Sequence, residues 1–155
     1  MGTGTPTVVS VLRDRVRRLE ITVGIGFFAA GFGGVIAAPL VMLVMPWAEK
    51  HRSPWALAMA HASISRLWIY FVLPLLWLGV SRIARDLRPW TTAIGSALVG
   101  ELLYVGLDAI SGTLGAVVAH PSLWLPRLLT LVLGVYLSAK AIATSKPPGR
   151  SAAGA

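Results

Sequence analysis

The stretch Ile21–Met45, ITVGIGFFAAGFGGVIAAPLVMLVM, decides the fold class. It runs 25 residues without a charged side chain, and ~20 residues at ~1.5 Å per residue already cross a ~30 Å hydrocarbon core. In lipid each segment must satisfy its own backbone groups, so the stretch reads as a helix. Three further apolar segments follow: Trp55–Val80, Thr91–Val118 and Ser122–Ala143. The expected architecture is therefore all-α, an integral membrane four-helix bundle with spans at about 21–45, 55–80, 91–118 and 122–143. Pro74 is expected to kink the second span, with neighbouring helices covering the freed carbonyl.

Composition agrees. The 155 residues are 55% hydrophobic and 13% charged, with a mean hydropathy of +0.73. Soluble chains carry about 25% charged residues, so this chain lacks the polar surface of a soluble domain. The absence of cysteine excludes disulfides, thiolate metal sites and thiol redox chemistry.

Fourteen Lys+Arg against six Asp+Glu give a net charge of +8, and their placement sets orientation. Ten basic residues fall on the N-terminal flank, the second loop and the C-terminal side; the opposite side has Lys50 and Arg52 alone. The basic side of a multi-pass protein stays in the cytoplasm, so both termini are expected there. Trp55, Trp90 and Trp124 sit at span ends, where indoles anchor at headgroup level. The apolar run of the first span is too long for a cleaved signal peptide. Arginine outnumbers lysine among abundant Ala and Gly, which points to a GC-rich bacterial genome and hence to the bacterial inner membrane.

Residues 1–20 read as a basic amphipathic juxtamembrane segment and 144–155 as a flexible cytoplasmic tail. Val8, Leu12, Val16 and Leu19 recur at helical spacing, with Arg13, Arg15, Arg17 and Arg18 mostly elsewhere around the wheel. A helix of this kind is expected to lie on the cytoplasmic leaflet and attract anionic lipid. The flanks account for the positive charge, so no nucleic-acid partner is expected.

Small residues form stripes. Thr22, Gly26, Ala30, Gly34 and Ala38 repeat every four residues in the first span; Thr92, Ser96, Gly100 and, further on, Gly112 repeat in the third. Such stripes let helix backbones approach closely in lipid, either within the bundle, against a second copy, or against other membrane subunits.

Four charged residues lie well inside the spans: Arg66, Glu101, Asp108 and Arg127. Charge at that depth is costly and is a functional-site hypothesis by default. Counting from span midpoints places Arg66, Asp108 and Arg127 within ~8 Å on the outer side and Glu101 ~5 Å on the inner side. Asp108 is expected to pair with Arg66, Arg127 or both, since a guanidinium grips a carboxylate bidentately. Glu101 has no cation at its own depth and is expected to be protonated or hydrogen-bonded, through Tyr70 or Tyr104. The set Glu101, Asp108, Arg66, Arg127, Tyr70 and Tyr104 reads as a buried polar layer, either a structural ion pair or an ion or proton path.

His61 and His120 are the only weak haem candidates. Two axial ligands must meet at one level across the iron, yet His61 lies ~10 Å above the midplane and His120 in the outer turn. No cofactor and no metal are expected. Zinc-helix, phosphate-loop and nucleophile-elbow motifs are missing from the chain, so no catalytic residue is assigned. The segments around Val44-Met45-Pro46 and Ala58-Met59-Ala60 resemble the first hairpin of the small four-helix anthrone-oxygenase-like membrane proteins. The polar asparagine and histidine pattern of that family is missing, so no functional residue carries over. The expected function is a non-catalytic accessory or structural subunit of a larger membrane complex. The alternatives are a proton-coupled transporter or channel and, third, a membrane-embedded enzyme or redox anchor.

Overall fold

The computed structural model describes residues 8–51, 67–82, 87–110 and 121–145. They are helical almost throughout, with no strand among the described residues. Helix α1 spans Val8–His51, α2 spans Trp68–Val80, α3 spans Pro89–Ile110 and α4 spans Pro121–Thr144. Three of them contain stretches long and apolar enough to cross a membrane: Val8–Pro39, Pro89–Leu107 and Arg127–Thr144. The described part of α2 is a shorter apolar helix.

Helix α1 joins what the sequence divides. Nothing between Leu19 and Thr22 breaks the backbone ladder, and Thr22 Oγ1 donates to the Arg18 carbonyl at 2.7 Å across that junction. The basic segment from Val8 onward therefore continues directly into the apolar stretch as one helix of 44 residues. At ~1.5 Å per residue such a helix is about 66 Å long, roughly twice the ~30 Å hydrocarbon thickness. Pro39 and Pro46 lie inside it, and the helix runs on past Met45, where the first span was expected to end.

Proline shapes the other helices in two ways. Pro89 and Pro121 open α3 and α4, where the missing N–H would have no intrahelical partner anyway. In α2, Pro74 follows a π-helical turn over Trp68–Val72 and sits in the first turn of the α-helical part, Leu73–Val80. The Leu73 N–H reaches back five residues to the Trp68 carbonyl. A proline ring collides with the carbonyl four residues before it; the wider turn makes the room. The expected kink is thus a π turn placed just ahead of the proline. At the end of α4, Thr144 Oγ1 donates to Lys140 O at 3.0 Å and Ser145 Oγ to Ala141 O at 2.8 Å. These hydroxyls add a second donor to carbonyls of the last turn; Ala141 O also accepts the Ser145 N–H at 3.3 Å.

Close contacts set direction. Thr22 abuts Gly95, Gly26 lies against Ser96 and Val99, and Gly34 approaches Tyr104, so α1 and α3 run parallel. Trp68 meets Gly100 while Trp77 meets Ser96, so α2 runs antiparallel to α3. Helix α4 joins through Gly134, which is pressed against Ile69. The core holds Trp68, Ile69, Leu73 and Trp77 of α2 among Ala29, Ala93, Ala97, Ala139 and Ile142 of the other three helices. Outside it, Phe27, Phe28, Leu98, Leu102, Leu129 and Val132 are exposed, a surface suited to lipid and ill suited to water.

Burial along the small-residue stripe of α1 changes partway. Gly26 and Ala30 are buried, but the buried line then follows Gly33 and Ala37, while Gly34 and Ala38 are exposed. Four-residue steps overshoot a 3.6-residue turn and rotate the stripe out of the contact. On α3, Gly100 is buried as expected, and Gly112 lies outside the described residues.

A methyl group at Gly134 would overlap Ile69, and one at Gly100 the Trp68 ring. Gly134→Ala and Gly100→Ala should therefore each destabilise the protein by about 1–3 kcal/mol. Thermal unfolding in mild detergent should show a lower Tm for both. Gly31→Ala, whose added methyl meets open space, should be neutral or stabilising. Equal Tm values across the three variants would contradict the packing.

Candidate functional site

The centre of the bundle is built around two indoles of α2. Trp68 is fully buried, with its Cβ against Gly33 of α1 and the far edge of its ring against Gly100 of α3. Any larger residue at either glycine would collide with it, so the two backbones approach the indole from opposite sides. Tyr104, one turn beyond Gly100, stacks on the Trp68 ring with centroids 5.9 Å apart and planes 11° from parallel. The neighbouring Ile69 fills the space at Gly134. One turn of π-helix thus delivers two consecutive side chains, Trp68 and Ile69, to three other helices.

Trp77 is equally buried and carries an N–H that must find an acceptor in a dry interior. Its Nε1–H donates to Ser96 Oγ of α3 at 3.1 Å. Ser96 passes its own proton back to its helix, sharing it between Thr92 O at 3.0 Å and Ala93 O at 3.1 Å. Ser81 Oγ does the same toward the Trp77 carbonyl. With Thr92 and Ser138, both buried, these form a layer of neutral hydroxyls. Ser138 Oγ finds no hydrogen-bond partner among the described residues. The hydroxyls of Ser81 and Ser96 donate to carbonyls of their own helices, while the Trp77 Nε1–H to Ser96 Oγ bond ties α2 to α3.

Of the polar residues anticipated from the sequence, four lie among those whose side chains are described. Glu101, on α3 directly after Gly100, is half-buried, as are Tyr104, Tyr70 and Arg127. Glu101, Tyr104 and Arg127 are all engaged in interactions. Tyr70 faces Phe71 at 6.2 Å between ring centroids, and the Arg127 carbonyl accepts from Thr130 Oγ1 at 2.8 Å. Arg66, His61 and His120 lie outside the described residues, as does the side chain of Asp108. Among the described residues no three His, Asp or Glu side chains converge as metal ligands would.

Two contributors escaped the sequence reading: Trp68 and Trp77. The signal was available for the indoles. Both lie inside the second apolar stretch rather than at a membrane boundary, and an indole placed there needs a hydrogen-bond acceptor on a neighbouring helix.

Ser96→Ala should cost about 1–2 kcal/mol by leaving the Trp77 N–H buried without an acceptor. In Ser96→Ala/Trp77→Phe, where both groups are gone, the loss should be smaller than the sum of the single losses. Additive losses in thermal unfolding would show that the indole–hydroxyl bond contributes nothing. No protein family, curated protein or solved structure matches this chain.

Proposed function

We propose that the chain is a non-catalytic accessory or structural subunit of a larger membrane complex, crossing the bacterial inner membrane four times with both termini in the cytoplasm. The observation that carries this reading is the filled centre. Where a transport path would run between the helices, Trp68 occupies the space between Gly33 and Gly100, and Ile69 the space at Gly134. Two of the buried hydroxyls there, Ser81 and Ser96, donate to backbone carbonyls, and Ser96 also accepts from an indole. A bundle so packed offers its outer faces rather than its interior. On α1 one such face is a shallow apolar groove lined by Gly24, Phe27, Phe28, Gly31, Phe32 and Val35, with the Phe28 and Phe32 rings stacked at 5.8 Å. Small residues beside aromatic rings suit contact with a further transmembrane helix.

Orientation draws support from the charges. Arg13, Arg15, Arg17, Arg18, Arg82, Arg88 and Lys140 are all exposed. They belong to the start of α1, the end of α2, the start of α3 and the last turns of α4. The contacts of Thr22 with Gly95 and of Trp77 with Ser96 gather the first three of these ends on one side. Basic residues on one side suit the cytoplasmic leaflet and its anionic headgroups.

A second reading, proton-coupled transport, is favoured by one feature: Glu101 is a half-buried carboxyl next to the Trp68 clamp. Two measurements separate the readings. Extracted from its own membrane in mild detergent, the tagged protein should run at a native mass that includes a different polypeptide; a mass accounted for by this chain alone would contradict the subunit reading. Reconstituted alone in liposomes, the protein should show no pH-driven flux. Flux that Glu101→Gln abolishes while the bundle stays folded would establish transport instead.

A further inference from the structure

We propose that Arg15, Arg18, Arg82 and Arg88, at one end of the bundle, bind an anionic phospholipid headgroup carrying two phosphates, of the cardiolipin class. The helix contacts fix the depth of these residues. Thr22 of α1 lies against Gly95 of α3, and the two helices run parallel. Arg15 stands seven residues before Thr22 and Arg88 seven before Gly95, so both lie about 10 Å below that contact. Seven residues are nearly two whole turns, so Arg15 shares the face by which Thr22 meets α3. Arg88 is fixed at the start of α3, its carbonyl accepting the Thr92 N–H at 3.0 Å. Arg18 follows Arg15 by three residues, on the same side of α1. Trp77 of α2 meets Ser96 from the antiparallel direction, which brings Arg82, five residues on, to within about a turn of the same depth. All four arginines are exposed.

Guanidinium groups keep their charge, so these side chains repel one another unless an anion lies among them. The carboxylates described at this end do not serve. Asp14 and Glu20 lie about 100° and about 140° around α1 from Arg15, and among the described residues none of the four arginines forms an ion pair. Arginine suits phosphate, because its fork grips two oxygens at once. A phosphodiester offers two unesterified oxygens, enough for two forks, so four forks call for two phosphates. Depth makes those phosphates a lipid's. Helix α3 has 22 residues, about 33 Å of rise against a hydrocarbon core of ~30 Å, so its start falls at headgroup level. Trp90 is exposed there, as suits an indole at the membrane boundary. Above it Ile94 and Leu98 are exposed at four-residue steps, an apolar strip for acyl chains. Basic pockets between transmembrane helices take polyanionic headgroups in this way. The inference rests on the chain lying in a bilayer, and on neither its orientation nor a further subunit.

The full chain, purified in mild detergent, is titrated with cardiolipin or phosphatidylglycerol, and bound lipid is counted by native mass spectrometry. At equal total phosphate, cardiolipin should bind at least about tenfold more tightly. Arg15→Gln/Arg88→Gln should weaken cardiolipin binding by about tenfold. Arg13→Gln/Arg17→Gln removes the same charge from the far side of α1 and should leave binding within about twofold of the parent. These positions are all exposed, so the fold is not at stake, and equal Tm values without lipid check that. Equal losses in the two double variants would mean attraction by net charge alone and would overturn the site. So would equal affinity for the two lipids. Sodium pyrophosphate, two phosphates without acyl chains, should not displace bound cardiolipin; displacement would point to a soluble ligand and overturn the lipid assignment.

Discussion

Helices immersed in lipid gain little from apolar burial, since the surrounding tails are as apolar as the interior. What remains is close contact, and here contact depends on a single large side chain. Trp68 reaches from α2 to both α1 and α3, and it fits because Gly33 and Gly100 offer bare backbone on either side of it. Tyr104 then closes over the ring. Remove the indole and three helices lose the surface that holds them at their spacing; enlarge either glycine and the indole has nowhere to go. The other core contacts take their positions from that fit.

Pro74 is the local cause of the arrangement. A proline in a regular helix would clash with the preceding turn, and the π turn over Trp68–Val72 relieves the clash immediately ahead of it. The wider turn changes which residues share a face. Trp68 and Ile69 both point inward, as do Val72 and Leu73, so one short segment serves three neighbours at once. Trp77, a turn past the proline, sits where its N–H meets Ser96. A covalent constraint in the backbone is thus converted into the placement of two indoles, and the indoles set the spacing of the helices.

The same chain treats its charges economically. The arginines of α1 before residue 19 are exposed, and so are Arg82 and Arg88, while the buried polar side chains among the described residues are hydroxyls, of which Ser81 and Ser96 bond within their own helices and Ser96 also to an indole. Neutral hydroxyls avoid the desolvation that an ion pair must offset in a low-dielectric interior. Glu101 and Arg127 reach only partial burial, which keeps both groups at the margins of the dry core.

The amino-acid order alone determined that the chain is helical and apolar enough for a membrane, because hydrophobic length and charge spacing are one-dimensional quantities. It also marked where α3 and α4 begin to within two residues, at Pro89 and Pro121, since proline acts on its own backbone. It identified Gly26, Ala30 and Gly100 as buried small residues for the same reason: a stripe repeats along one helix. Three matters needed the tertiary structure. The continuity of α1 past residue 20 rests on the absence of any break, which composition alone does not reveal when polarity changes abruptly. The turn of the contact line toward Gly33 and Ala37, and away from Gly34 and Ala38, depends on how α1 crosses its neighbours. The contacts of Trp68 with Gly33 and Gly100 and of Trp77 with Ser96 are properties of pairs on different helices, and no pattern within one helix encodes its partner.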